Sequence, residues 1–225
     1  MKLQRTFFFF FFFFAVTGFS QSNANIQLWT GANVKLDLGK KWSLSYSPEL
    51  RFTDTMRTLN SVINELGVKY KLNKSISLLA EYRYTYRPTK NDVNRFCLGA
   101  SYDWSKKDFP LSFSYRIKFQ YSRNRNSGSS ESYLRNKITL DYNLSKLVDP
   151  SVSYELFFLF GKNEFRNSRY SFGLEWRLTK KLSLNTYYMY QREIYVKNPS
   201  SDHIFGIGLN YKMKIKDKKT NASIE

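Results

Sequence analysis

The chain predicts an all-β fold, a closed antiparallel up-and-down transmembrane β-barrel of about 10–12 strands. Three observations carry the prediction: long segments that alternate apolar and polar residues in twos, a turn that recurs between them, and an N-terminus laid out for export. The segment "WSLSYSPELRFT" illustrates the first. Trp42, Leu44, Tyr46, Pro48, Leu50 and Phe52 fall on one face of an extended chain, and Ser43, Ser45, Ser47, Glu49, Arg51 and Thr53 on the other, because successive strand residues point to opposite sides.

The elements follow in order. Asn25 to Leu38 sets Ile26, Leu28, Ala32, Val34, Leu36 and Leu38 against Gln27, Asn33, Lys35 and Asp37, and "LGKK" leads into Trp42 to Thr53. Asn60 to Leu72 and Ile76 to Pro88 meet at "LNKSIS"; Val93 to Trp104 and Phe109 to Arg123 meet at "WSKKDFP". Ser132 to Leu144 and Ser151 to Phe160 meet at "LSKLVDPS", Ser168 to Leu178 and Leu182 to Ile194 at "LTKKLS", and His203 to Ile215 comes last. A Lys-bearing turn at regular spacing would also suit helical repeats, but the residues between the turns alternate in twos rather than in threes and fours. Longer polar stretches such as "SRNRNSGSSES" and "YVKNPSSD" separate the hairpins and predict long loops at one rim. These are eleven segments, whereas single-chain bacterial barrels usually carry an even number. The sequence therefore points to an irregular first segment or an end drawn one strand out.

Composition narrows the setting. Aromatics make up 18% of the 225 residues, Tyr and Phe far more than Trp, which favours strands. The formal charge is +18 and mean hydropathy is −0.51; such a charge ordinarily suggests nucleic acid or an anionic membrane surface. The N-terminus favours the second. Lys2 and Arg5 precede Phe7 to Phe14, Ala15 and Val16, and the small residues Gly18 and Ser20, the layout of a secretory signal peptide over residues 1–20. Its apolar run is shorter than the roughly 20 residues a spanning helix needs. The expected domains are thus a signal peptide at 1–20, the barrel at 21–215 and a polar tail at 216–225. Export excludes nucleic acid as the expected partner. Cys97 is the only cysteine, so no internal disulfide forms, and its strand position reads as a small packed side chain.

Alternation does not say which face is wet, since a soluble barrel turns its apolar face inward and a membrane barrel turns it outward. Length favours the membrane: a segment of about 12 residues at ~3.3 Å per residue and a tilt near 45° rises about 28 Å, close to the ~25 Å apolar band of membrane barrels. Aromatics on the apolar face gather toward segment ends, with Trp42, Tyr84, Tyr86, Trp104, Tyr188 and Tyr190 as the expected interface girdles. The opposite face carries Glu65, Lys69, Glu81, Arg83, Arg116, Lys118, Arg135, Glu155, Glu175 and Arg177. Each would cost roughly 2–4 kcal/mol turned to lipid, so these are the expected lumen-lining charges.

The early "NIQLWTGANVKL", the following "KKWSLSYSPELRF" and the repeated Lys-turn hairpins resemble an outer-membrane barrel family of Bacteroidota defined by a domain of unknown function. That resemblance covers nearly the whole mature chain and implies outer-membrane residence, with outer-membrane lipid including lipopolysaccharide and the barrel assembly machinery as partners. It brings no catalytic residues with it. The polar tail "KDKKTNASIE" departs from the terminal aromatic of such barrels and leaves the end of the last strand open.

Chemistry is sparse. His203 is the only histidine and follows Ser200, Ser201 and Asp202; Ser–His pairs near a barrel rim serve lipid hydrolysis, which makes an outer-membrane lipid-modifying hydrolase one alternative. A soluble periplasmic barrel binding an apolar ligand is another. No metal-ligand spacing is visible, the "GIGLN" glycines lack the helix a phosphate loop needs, and no cofactor is expected. Arg123, Arg125, Arg166, Arg169 and Lys197 are expected in or near the long loops, where lipopolysaccharide phosphates would meet them. The main expectation is an outer-membrane barrel, not an enzyme, whose charged and largely filled lumen serves a narrow, anion-preferring path or a structural or surface role.

Overall fold

Each segment is long, alternating and joined to the next by only a few residues, so it can satisfy its backbone only by pairing with its chain neighbours. The computed structural model describes residues 24–215, and the expected signal peptide and polar tail lie outside them. Within them the chain forms β1 (Ala24–Leu38), β2 (Trp42–Thr53), β3 (Thr58–Lys71), β4 (Ile76–Tyr86), β5 (Val93–Ser105) and β6 (Leu111–Asn124). β7 (Ser130–Tyr142), β8 (Val148–Leu159), β9 (Glu164–Arg177), β10 (Leu182–Glu193) and β11 (Ser201–Ile215) follow. Each pairs with its neighbour in a meander that closes as a barrel. With strands ~4.8 Å apart and tilted about 40°, the wall has a backbone radius of about 11 Å.

The strand number is the odd one read from the sequence, and it changes the expected topology. In an up-and-down meander the first and eleventh strands run the same way, so closure needs one parallel pair. β1 pairs in parallel with β11 from Ala24↔Ser201 to Leu38↔Ile215, without a break; every other pair is antiparallel. The wholly antiparallel barrel expected from sequence is corrected at this seam. Two consequences follow. The first segment is a full wall strand, and the start of β1 and the end of β11 lie at opposite rims.

The expected contrast between long loops and short turns is also corrected. The connections at 54–57, 87–92, 125–129, 160–163 and 194–200 are scarcely longer than the Lys-bearing turns at 39–41, 72–75, 106–110, 143–147 and 178–181. β6 and β7 extend into "SRNRNSGSSES" because Asn124 caps the turn: its backbone N–H bonds to the Ser129 carbonyl while its side chain accepts from the N–H groups of Asn126 and Ser127. Local polar bonding of this kind lets a polar stretch make a tight hairpin. We refer to the two ends as the loop rim and the Lys-turn rim.

Burial orients the wall. Leu44, Leu66, Leu98, Phe96, Phe172 and Leu209 lie on the outside and are exposed, Leu66 by 56%. Lys118, Gln120, Arg135 and Glu155 are buried, Glu155 to 5% exposure. The buried apolar residues Trp29, Ile63, Val93, Cys97, Phe157, Leu159 and Ile204 occupy inward positions among these polar groups. An apolar exterior around an ionised interior is the reverse of a soluble barrel.

Candidate functional site

The interior is built from strand parity. At mid-wall Glu155 of β8 receives Arg135 of β7 through Nε (3.1 Å) and Nη2 (2.9 and 3.0 Å to its two oxygens). Arg116 Nη2 of β6 lies 3.4 Å away and Arg169 Nη1 of β9 3.7 Å away. One carboxylate thus holds three guanidiniums from three strands. A forked guanidinium suits this bidentate geometry better than an ammonium would. Arg135 also donates from Nη1 to Gln120 Oε1 (3.0 Å).

Rings fill the space between these charges. The Arg51 guanidinium stands 3.4 Å from the Trp29 ring centre, Arg169 lies 5.9 Å from Trp29 and 4.6 Å from Phe157, and Arg135 lies 4.6 Å from Phe157 on its own side. Cations over aromatic faces attract through the ring quadrupole. Trp29 Nε1 donates to Gln27 Oε1, Gln27 and Gln191 both donate to Asp202, and Arg169 Nε donates to Gln191 Oε1. The chain Arg51, Trp29, Arg169, Phe157, Arg135, Glu155 therefore runs along the inside from β2 through β1 and β9 to β7. Together these residues, termed the plug below, form one connected stack of charges and rings on the inner face. Arg169 and Arg95, on opposite sides of the wall, line one cavity.

The ten charges predicted from sequence fall on the inner face. Arg83 Nε donates to Glu65 (2.6 Å), Lys118 Nζ to Glu81 (2.5 Å) and Lys69 Nζ to Asp103 (3.5 Å); Arg177 pairs with Asp149, and Glu175 accepts from Ser183 Oγ (2.6 Å). Gly99 sits beside Lys118, where a Cβ would meet the Ile117 carbonyl, so the bare backbone lets the walls approach under that ion pair. The sequence reading missed Trp29, Arg51, Gln120, Phe157 and Arg169 as plug residues. Parity carried the signal: Trp29 shares its face with Gln27, Asn33 and Lys35. Arg169, expected in or near a long loop, is instead a mid-wall lumen residue of β9, within the segment its alternation marked, while Arg166 bridges Glu164 and Glu193 at the rim beside the loop. β9 starts at Glu164, four residues earlier than its alternation suggested.

Outside the wall, Trp42 and Trp104 stand at the Lys-turn rim and Tyr86 at the loop rim, all exposed. Tyr84 donates to Asp92 (2.7 Å), which also accepts from the Arg87 N–H. Tyr188 Oη lies 2.7 Å from His203 Nδ1, and the Tyr190 ring lies 5.2 Å from the imidazole. Alternation separates the expected catalytic neighbours. Asp202 points inward to Asn25, Gln27 and Gln191, His203 points outward with the tyrosines, and Ser200 Oγ donates to Glu193. Ser200, Asp202 and His203 thus do not assemble a triad, whose members must share one hydrogen-bonded line.

The space left in the lumen is polarised toward its two rims, on either side of a cavity of about 210 Å³ lined by Trp29, Glu49, Glu65, Arg83 and Tyr187. On the loop-rim side, a cavity of about 440 Å³ includes Arg87, Arg95, Arg169 and Glu131, and an adjoining one of about 240 Å³ includes Arg51, Arg83, Arg87, Lys90 and Arg95 with no carboxylate in its lining. Toward the Lys-turn rim, a cavity of about 450 Å³ carries Asp141, Asp149 and Glu175 with Arg177. No group of acidic, histidine or cysteine side chains is placed to hold a metal among the described residues.

Among curated proteins nothing matches this chain. Solved structures do match in fold. A structure described as a bacterial polysaccharide outer membrane secretin aligns with a TM-score of 0.50 at 10% identity, over 74% of this chain and 63% of its own. A KdgM porin solved with disordered oligogalacturonate gives 0.46 at 15% identity, over 72% of this chain and 82% of its own. An anion-selective porin from Comamonas acidovorans gives 0.38 at 12% identity, over 78% of this chain and 55% of its own. The chain spans less than two thirds of the secretin and of the Comamonas porin, and at these identities the likeness concerns the fold alone. A family model matches residues 26–202, from the start of β1 into the start of β11, and the chain accordingly belongs to the family described as protein of unknown function, DUF2490.

Proposed function

We propose that this protein is an outer-membrane barrel whose lumen is closed at mid-height by the arginine and aromatic plug, so that it serves a narrow or gated path rather than general diffusion. The observation that carries the reading is the inverted wall: Leu44, Leu66 and Leu98 outside, Arg135 and Glu155 buried inside. Turned to lipid, charges at mid-strand would cost roughly 2–4 kcal/mol each; turned to water, the apolar exterior would be far larger than soluble monomers expose. On this reading the ten inward charges line and fill the lumen, and Trp42, Tyr84, Tyr86, Trp104, Tyr188 and Tyr190 sit at the lipid interfaces. Residues 1–20 direct export, and the barrel assembly machinery and outer-membrane lipid including lipopolysaccharide are its partners.

Two measurements test it. The exported protein should fractionate with outer membranes, need detergent for extraction and migrate faster on a gel unheated than heated. In planar bilayers it should conduct weakly, and a Trp29→Ala, Phe157→Ala double variant should conduct several-fold more. Recovery in the aqueous fraction without detergent would sink the membrane reading. Large conductance in the unmodified protein would sink the plug.

A further inference from the structure

We propose that the loop-rim vestibule is a binding site for a small, multiply charged oxyanion of the phosphate or sulfate class, a proposal that rests on the membrane-barrel reading and adds a ligand class to it. The two loop-side cavities share Arg87 and Arg95 and so form one basin of adjoining chambers. Its cations are unevenly matched. Arg51 and Arg83 reach Glu49 and Glu65 through Nε (2.6 Å each), and both carboxylates lie outside the lining of the 240 Å³ chamber that these arginines face.

Arg95 differs. Its guanidinium donates from Nε to Ser122 Oγ at 3.2 Å, and no carboxylate lies within ion-pair distance of it among the described residues. Arg83 stands directly opposite it on β4, and Arg51 shares the same chamber lining, so its neighbours are cations. Arg87 and Lys90 add two more cations at the mouth. Like charges gathered in a recess with restricted water repel one another, and a guanidinium fork is matched to tetrahedral oxyanions.

The basin also has an inner limit. Phe157 and Arg169 of the cation and ring stack line the larger chamber, and beyond the smaller one, across Ile63 and Arg83, lies the cavity of about 210 Å³ lined by Glu49 and Glu65, whose carboxylates oppose an anion moving further in. Hydroxyls and amides of Ser61, Thr85, Ser122 and Asn124 supply neutral donors around the cations. The acidic cavity toward the other rim, with Asp141, Asp149 and Glu175, opposes passage of the same anion and sets the binding site at one end. Acidic groups at the basin are Glu131 in its lining and Glu49 and Glu65 in the adjoining 210 Å³ cavity, fewer than the basin's own Arg51, Arg83, Arg87, Lys90, Arg95 and Arg169.

The test is calorimetric titration of the detergent-solubilised, heat-modifiable barrel with sodium pyrophosphate, sodium sulfate and, at matched ionic strength, sodium chloride. Pyrophosphate should bind saturably with one site per barrel and sulfate more weakly, while chloride should show no saturation. Arg95→Gln should weaken pyrophosphate at least about tenfold, and Lys90→Gln, a change in an exposed loop that leaves the wall intact, several-fold. Arg177→Gln at the opposite rim should leave affinity unchanged within a factor of about two. Equal affinity in Arg95→Gln and Lys90→Gln, or no saturable pyrophosphate binding at matched ionic strength, overturns the proposal. Binding to micelles of a phosphorylated lipid without binding to free pyrophosphate also overturns it and assigns the charges to a headgroup. A barrel that stays heat-modifiable and detergent-dependent yet fails to bind overturns the anion site alone; a chain soluble without detergent overturns the membrane reading first.

Discussion

Glu155 is the residue on which most of the interior charge converges. Removing one member of a buried ion pair strands its partners and costs about 3–5 kcal/mol; here three arginines would be stranded. Glu155→Gln should therefore lower the unfolding free energy in urea by at least that amount, and a variant as stable as the original would show that lumen water already screens the cluster. A gentler case lies in the 87–92 loop. The Tyr84 hydroxyl and the Arg87 N–H bond to Asp92 and hold its carboxyl below the usual carboxylate range. Because the pKa is lowered on folding, the contact is present above the unfolded value near 4 and is lost as pH falls through the still lower folded one. The protection factor of the Arg87 amide, taken relative to its intrinsic exchange rate at each pH, should hold at pH 5 and fall only below about pH 4; a fall already between pH 6 and 5 would contradict the assignment.

Pairs of strands show how the wall accommodates its contents. The Tyr187 ring of β10 covers Gly206 of β11, and a Cβ at Gly206 would overlap its outer atoms, Cζ nearest. The first glycine of "GIGLN" is thus the seat of an inward tyrosine, and an aromatic covering a strand glycine also shields its backbone. Gly206→Ala should destabilise the barrel by about 1–3 kcal/mol. In a double-mutant cycle Tyr187→Ala should recover most of that loss; additive losses would place the ring elsewhere. Both wall irregularities, at Arg51/Phe52 and Phe157/Phe158, lie opposite plug residues, the extra residues being Asn60 of β3 and Arg166 of β9. A bulge re-aims a neighbouring side chain, and Arg166 accordingly reaches Glu193 on the inward row of β10.

Across the whole molecule, the parallel β1·β11 seam has a topological consequence. Ala24 and Ile215 lie at opposite rims, so in a membrane the two ends of the wall face different compartments. Epitopes placed just before Ala24 and just after Ile215 should be reached by antibody from opposite sides of intact cells or oriented vesicles. Labelling of both from one side would require an even-stranded wall and so break the seam. The charge separation between the basic basin and the acidic cavity operates at the same scale, because no single strand carries it; it arises where five or more strands bring their inward residues to one height.

The period of two in segments such as Trp42 to Thr53, the turn chemistry of "LGKK" and "LTKK", and the count of eleven segments were readable in the chain, because pleat and turn geometry are local properties. Parity also placed Arg83, Lys118 and Glu155 on one face before any pairing was known. The closing partner of β1 was not readable, since backbone pairing with a strand more than 160 residues away leaves no local mark. Nor was the plug: Trp29 and Phe157 interrupt polar faces with an apolar ring, and only the curvature of the closed wall brings Arg51, Arg169 and Arg135 onto them. Sequence determined the faces; closure into a ring determined which charges meet, because distances across a lumen depend on the circumference of the whole sheet.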